Sequence, residues 1–169
     1  MTRTQAPKVW AQDEIPPPPP LAAGYELSTA PPAAEEYLRL REIGGLGAKS
    51  LEGARIGLAN SLYCVTIRRE GRLVSMCRVV GDGGCHYAVV DAVTDPAHRS
   101  MGFGALTISM VRDWFYETAP DGAYCFAITT LTAFVAPLGY APVEPDYRGV
   151  FLWKPMSGET LADGPREGP

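Results

Sequence analysis

Apolar and polar positions change period several times along the chain, and each change marks an element. The segment EEYLRLREI carries apolar residues at helical spacing behind Pro31-Pro32, which predicts a helix from about Ala33 to Ile43, with Tyr25 to Ser28 a short strand before it. The next stretch, GGLGAKSLEGARIGLANS, mixes glycines with a short helix around Leu51 to Ile56 and is expected to form an irregular wall. Leu62 to Ile67 and Leu73 to Val80 are β-rich runs flanking Glu70-Gly71-Arg72, the pattern of a hairpin. After the turn Gly81-Asp82-Gly83-Gly84, Cys85 to Thr94 predicts a third strand, ended by Asp95-Pro96. A helix running to about Thr118 presents Leu106, Ile108, Met110, Val111, Trp114 and Phe115 as its apolar face. Ala123 to Thr130 predicts a strand, Leu131 to about Ala136 a short helix, and Val150 to Trp153 a last strand. This order predicts an α+β (mixed α/β) domain built on a single, mostly antiparallel sheet with flanking helices.

The ends of the chain read differently. Five consecutive prolines, Pro16 to Pro20, favour polyproline II and cannot enter a helix or sheet interior, so residues 1–23 are expected to be a disordered proline-rich tail. That run could serve as a spacer or be recognised by a peptide-binding partner. The polar, glycine-rich stretch 156–169 is expected to be a flexible tail, leaving 24–155 as one folded domain.

Composition narrows the function classes. Fifteen Lys and Arg against nineteen Asp and Glu give a net charge of -4, which offers no broad footprint for nucleic acid or an anionic membrane. No apolar run is long enough for a membrane-spanning helix, and the N-terminus lacks the apolar core of a signal peptide, so a cytoplasmic location is expected. Cys64, Cys77, Cys85 and Cys125 match neither metal-ligand spacing nor a disulfide framework; they are expected to be mostly buried thiols, with no metal site.

The candidate chemistry sits in HRSMGFGALTISMVRDWF, residues 98 to 115. Gly102 and Gly104 lie where a helix begins. A helix N-terminus offers free backbone N–H groups and partial positive charge, glycines remove the Cβ atoms that would hold a phosphate away, and Arg99 adds a charged donor. Arg-x-x-Gly-x-Gly after a strand therefore reads as a pyrophosphate cradle. It follows the third strand of a meander, and no GxGxxG is present, which argues against a dinucleotide-binding fold.

With Val90-Asp91-Ala92-Val93-Thr94-Asp95-Pro96 before it and Pro137-Leu138-Gly139-Tyr140 later, this motif resembles the signature of the GNAT acyltransferase superfamily, over roughly residues 25 to 154. The resemblance implies an acetyl-CoA or other acyl-CoA site. Backbone amides of Ser100, Met101, Gly102, Phe103, Gly104 and Ala105, with Arg99, would hold pyrophosphate, and the strand backbone at Ala92, Val93 and Thr94 would pair with the pantetheine arm. The sheet would splay between this strand and the next, with the amine entering from the opposite side.

The catalytic positions depart from the family pattern. Where the family often has a tyrosine acid, this chain has Val135 beside Phe134, and Ala88 stands at a usual base position. Asp91, the one carboxylate in VVDAV, is a candidate base or a structural aspartate that satisfies loop N–H groups such as those of Gly81 to Gly84. His86 is a candidate catalyst or a wall residue. Strand alternation groups His86, Ala88 and Val90 on one face and Tyr87, Val89 and Asp91 on the other, unless a bulge shifts them. Tyr124, Tyr140 and Tyr147 are candidates for the acid, with Tyr140 in the glycine-aromatic turn; Cys85 and Cys125 read as packing residues or nucleophiles. The resemblance also implies an acceptor wall built from Tyr37 to Ile43, Gly44 to Ser61 and Ala141 to Gly149, which carry Arg39, Arg41, Lys49, Arg55, Glu144, Asp146 and Arg148.

The resemblance implies an acyl-CoA-dependent N-acyltransferase acting on a small amine by direct attack on the thioester. The alternative is a relative that keeps the coenzyme A cradle but binds, regulates or catalyses something else. A small-molecule amine is the expected partner, and a homodimer is compatible with this reading.

Overall fold

The computed structural model describes residues 15–140. Antiparallel strands β2 (Tyr63–Arg69), β3 (Arg72–Gly81) and β4 (His86–Thr94) form the meander that the sequence predicts, and β1 (Glu26–Ser28) pairs antiparallel with β2. β5 (Tyr124–Ala127) joins β4 in parallel, giving the sheet order β1-β2-β3-β4-β5. A parallel pair needs a long crossover, which α3 (Phe103–Thr118) provides.

Two layers of helix cover the sheet. On one face, α1 (Ala34–Gly44) and α2 (Leu51–Ala59) pack Tyr37, Leu40, Ala54 and Leu58 against Cys64, Leu73, Met76 and Val93. On the other, α3 packs Ile108 and Val111 against Val65, Cys77, Val79, Tyr87 and Val89. Adjacent Cys64 and Val65 serve opposite layers, as strand alternation requires.

Local signals set the helix ends. Glu36 accepts from the Ala33 N–H at 3.3 Å, and Gly45 closes α1 in the left-handed conformation. Ser50 caps α2 by accepting from the Gly53 N–H at 3.0 Å, so the expected irregular wall contains a regular helix longer than the sequence predicts. β5 is shorter than the predicted Ala123 to Thr130, and it is followed by a short helix, α4 (Thr132–Val135), that continues as a tighter turn over Ala136–Leu138. Residues 15–22, expected within a tail, approach α3: Pro19 lies near Gly102, and Leu21 and Ala22 pack against the cluster of Tyr25, Ile67, Val74, Phe103 and Leu106. The predicted strand Val150 to Trp153, Ala141 to Gly149 with Tyr147, the 156–169 segment and residues 1–14 lie outside the described residues.

Two irregularities in β4 shape the site. Arg78 pairs with Val90 and Met76 with Val93, so Cys77 faces both Asp91 and Ala92, and Asp91 has φ 55°. This bulge turns the Asp91 side chain to the α1 side, away from Tyr87 and Val89. In addition, β4 pairs with β5 only from His86 to Val89, so the backbone beyond the bulge has no strand partner on that side among the described residues. No helix among the described residues is long and apolar enough to cross a membrane.

Candidate active site

The glycine loop is held from below. Asp95, at the end of β4, accepts from the Ala97 N–H at 3.0 Å and donates its own N–H to the Val74 carbonyl at 2.8 Å. Ser100 (φ 63°) and Gly102 (φ 81°) then take left-handed conformations, which reverse the chain into α3. Phe103 drives its ring into the core, 2% exposed and 4.6 Å from the Tyr25 ring, so this motif residue anchors the loop. Ser100, Met101 and Gly102 remain on the surface.

The first helical bond of α3 runs from the Leu106 N–H to the Gly102 carbonyl at 2.9 Å. The preceding N–H groups of Phe103, Gly104 and Ala105 have no acceptor among the described residues. Three free donors at the positive end of a helix of 16 residues fit an anionic group. The Arg99 guanidinium lies at the rim and donates to the Gly44 carbonyl at 3.4 Å. Phe134 of α4 lies across the loop, with Cζ 3.5 Å from where a Gly104 Cβ would stand.

Next to this loop is a buried ion cluster. Asp91 Oδ2 accepts from Arg78 Nε at 2.5 Å and from the Tyr37 hydroxyl at 3.1 Å, and Oδ1 accepts from Arg41. The same arginines reach further. Arg41 also donates to the Gly47 carbonyl, and Arg78 donates to the Gly57 carbonyl at 2.8 Å and Ser61 Oγ at 3.1 Å. The Tyr37 ring lies 5.4 Å from the Arg41 guanidinium and 5.7 Å from that of Arg78. Burial, then the Asp91 carboxylate, pushes the Tyr37 phenol upward. The cluster ties α1, the loop after it, the end of α2 and β3 to the β4 bulge.

The three residues predicted as catalytic fall in three places. Asp91 is the hub of the cluster, with donors on both oxygens. His86 lies at the far end of β4, 59% exposed, with Nδ1 3.4 Å from Asp82 Oδ2 and its ring against Tyr124 at 4.8 Å. Tyr140 donates to the Ile108 carbonyl at 3.3 Å, and burial pushes its phenol strongly upward. Of the loop N–H groups that the structural reading of Asp91 named, that of Gly84 goes to Asp82 instead, whose Oδ1 accepts from Gly84, Cys85 and His86. Those backbone bonds hold the Asp82 carboxyl well below its usual range.

Cys85 is exposed, whereas burial pushes the Cys125 thiol up to about 11. Val135 is half-buried against the α3 layer. Of the acceptor-wall cations, Arg41 is in the cluster, Arg39 sits 3.8 Å from Asp95, and Arg55 pairs with Glu35 at the surface at 2.9 Å. Sequence reasoning missed Arg78. Its signal was a lone charge in the apolar run SMCRVV of a hairpin whose other strand carries the lone charge of VVDAV.

No family model matches the sequence, and no curated protein sequence is similar to it. Solved structures do match. A protein of unknown function from meticillin-resistant Staphylococcus aureus, designated a probable acetyltransferase, is 28% identical with a TM-score of 0.72, over 77% of this chain and 99% of that one. A GNAT-family acetyltransferase from Streptococcus pneumoniae is 18% identical with a TM-score of 0.61, covering 78% and 99% of the two chains. Glucosamine-6-phosphate N-acetyltransferase from Arabidopsis thaliana is 14% identical with a TM-score of 0.54, covering 75% and 98%. The chain therefore has the GNAT superfamily fold, with its mostly antiparallel sheet and flanking helices. The first of these neighbours, at 28% identity, supports an acyltransferase role.

Proposed function

We propose that this chain is an acyl-CoA-dependent N-acyltransferase that transfers an acetyl or similar group to a small amine in the cytoplasm. The observation that carries the reading is the set of free N–H groups at Phe103, Gly104 and Ala105, together with a β4 that parts from β5 after Val89. Bound acyl-CoA supplies an activated thioester, whose carbonyl carbon gains the amine nitrogen and loses the thiolate.

The chain's own residues bind and orient. Amides of Ser100 to Ala105, with Arg99 at the rim, hold the pyrophosphate. Val93 and Thr94 pair with β3, and the backbone of Ala92, Val93 and Thr94 has no partner on the β5 side among the described residues; that side is available to the pantetheine amides and to the carbonyl oxygen, where strand N–H groups stabilise developing negative charge. Asp91 acts as a positioning residue: with both oxygens engaged, it fixes the bulge that presents this backbone. Direct attack then proceeds with the amine arriving neutral or passing its proton to water, and water protonates the thiolate. Tyr140 keeps its phenolic proton on the Ile108 carbonyl and takes no part.

One observation favours a second reading, in which the fold keeps the cofactor and has lost acetyl transfer. Val135 and Ala88 carry no proton-transfer groups at the positions the family resemblance assigns to an acid and a base. Calorimetric titration with acetyl-CoA and free coenzyme A, followed by thiol release against a panel of amines, separates the two. Amine-dependent release supports the acyltransferase; binding without release supports the altered protein.

A further inference from the structure

We propose that Ile15–Ala22 is a strap closed over the phosphate cradle and that coenzyme A binds only after the strap lifts. The inference rests on the acyl-CoA reading of the glycine loop. Pro16 to Pro20 lack N–H groups and have fixed φ angles, so the run cannot add to the free sheet edge or extend a helix; its natural form is a thin polyproline rod.

That rod touches two turns. A Cβ built on Gly102 would lie 3.9 Å from Pro19 Cγ and 4.0 Å from its Cβ, so Pro19 lies beside the left-handed residue that opens the cradle, which stays exposed on its other side. A Cβ built on Gly139 would lie 2.8 Å from Ile15 Cδ1 and 3.3 Å from Arg112 Cδ, which seats Ile15 on the turn after α4 beside the middle of α3. Ten residues of helix separate Arg112 from Gly102, about 15 Å, and polyproline from Ile15 to Pro19 spans about 12 Å. The strap therefore runs back along α3 to its first turn.

Beyond Pro20 the chain is anchored. Leu21 and Ala22 pack against the cluster of Tyr25, Ile67, Val74, Phe103 and Leu106, and buried Tyr25 donates to Met101 Sδ at 3.3 Å. Swinging can thus occur on the Ile15 side, while the far end stays fixed to the loop it covers.

The covering contacts at Gly102 and Gly139 are apolar. They bring neither charge nor acceptor to the N–H groups of Phe103, Gly104 and Ala105, whereas a pyrophosphate brings both. The fixed φ angles limit the entropy lost when the strap closes, so an uncharged cover with few contacts can still hold. A ligand that binds only the open form sees an affinity reduced by the open fraction. The polyproline run thereby sets the acyl-CoA concentration at which the enzyme fills.

The test compares coenzyme A affinity, by calorimetry, of the full chain and of the full-length variant Ile15→Ser/Pro18→Ser/Pro19→Ser, with Pro19→Ser alone as a milder version should the triple variant misfold. The strap predicts that the variants bind at least about fivefold more tightly, the gain expected if the strap is closed about four-fifths of the time. Equal or weaker affinity in both variants overturns the strap and leaves the cofactor reading standing. Failure of native and variant chains alike to bind overturns the cofactor reading and the strap with it.

Discussion

Arg78 on β3 and Asp91 at the β4 bulge meet at 2.5 Å, Nε to Oδ2, with both side chains nearly withdrawn from solvent. This contact ties β4 to β3 and, through the bond from Arg78 to the Gly57 carbonyl, to α2, and makes Asp91 part of the framework around the proposed acyl site. Asp91→Asn should leave two buried guanidiniums without their counter-charge and destabilise the protein by about 3–5 kcal/mol in urea unfolding. A residue that acted only as a proton acceptor would lower turnover while leaving the unfolding midpoint in place.

Gly102 separates backbone conformation from ligand charge. Gly102→Ala keeps the turn at a strain of about 1 kcal/mol from its positive φ, and coenzyme A binding should survive. Gly102→Glu adds a carboxylate beside the free N–H groups of α3 and should weaken coenzyme A by at least about tenfold. Calorimetry on both variants checks the contrast; equal losses would show that strain alone matters there.

Phe103 lies inside the motif but serves the core. Phe103→Ala should lower stability by about 3–5 kcal/mol, as read from denaturant unfolding. Coenzyme A should still bind the folded fraction, because the ring faces Tyr25 rather than the cradle.

Burial pushes the Cys64 and Cys125 thiols from 9.0 to about 11. Their neutral forms are favoured by the fold, so the stability they contribute is complete below the unfolded value near 9 and is lost as pH rises through 11. Unfolding midpoints should therefore fall between these pH values, and fall less in Cys64→Ser/Cys125→Ser measured against its own neutral-pH midpoint. Among the cysteines, Cys85 is exposed and should be alkylated first at pH 8, as mass spectrometry would show.

The meander, the long helix and the glycine loop were legible because each depends on local chemistry. Alternating β-rich runs in LYCVTI and LVSMCRVV, glycine turns between them and a 3.6-residue apolar stripe from Leu106 to Phe115 act within a few residues of each other. The β4 bulge was not legible. It arises because Cys77 opposes two residues, a relation between strands, and it reversed the face that simple alternation assigns to Asp91. Asp82, read only as a turn residue, proved to be the cap of its own loop.

The sequence by itself determined the order of the described elements, the class of fold and the position of the glycine loop at the start of α3, since these follow from periodicity and from what glycine permits at a helix start. Tertiary structure alone decided the company each candidate keeps. It placed Asp91 between two arginines, His86 at the distant end of the strand, Tyr140 on a core carbonyl and Pro19 over Gly102. Contacts between residues tens of positions apart depend on how strands register and helices dock, and neither is encoded in local spacing.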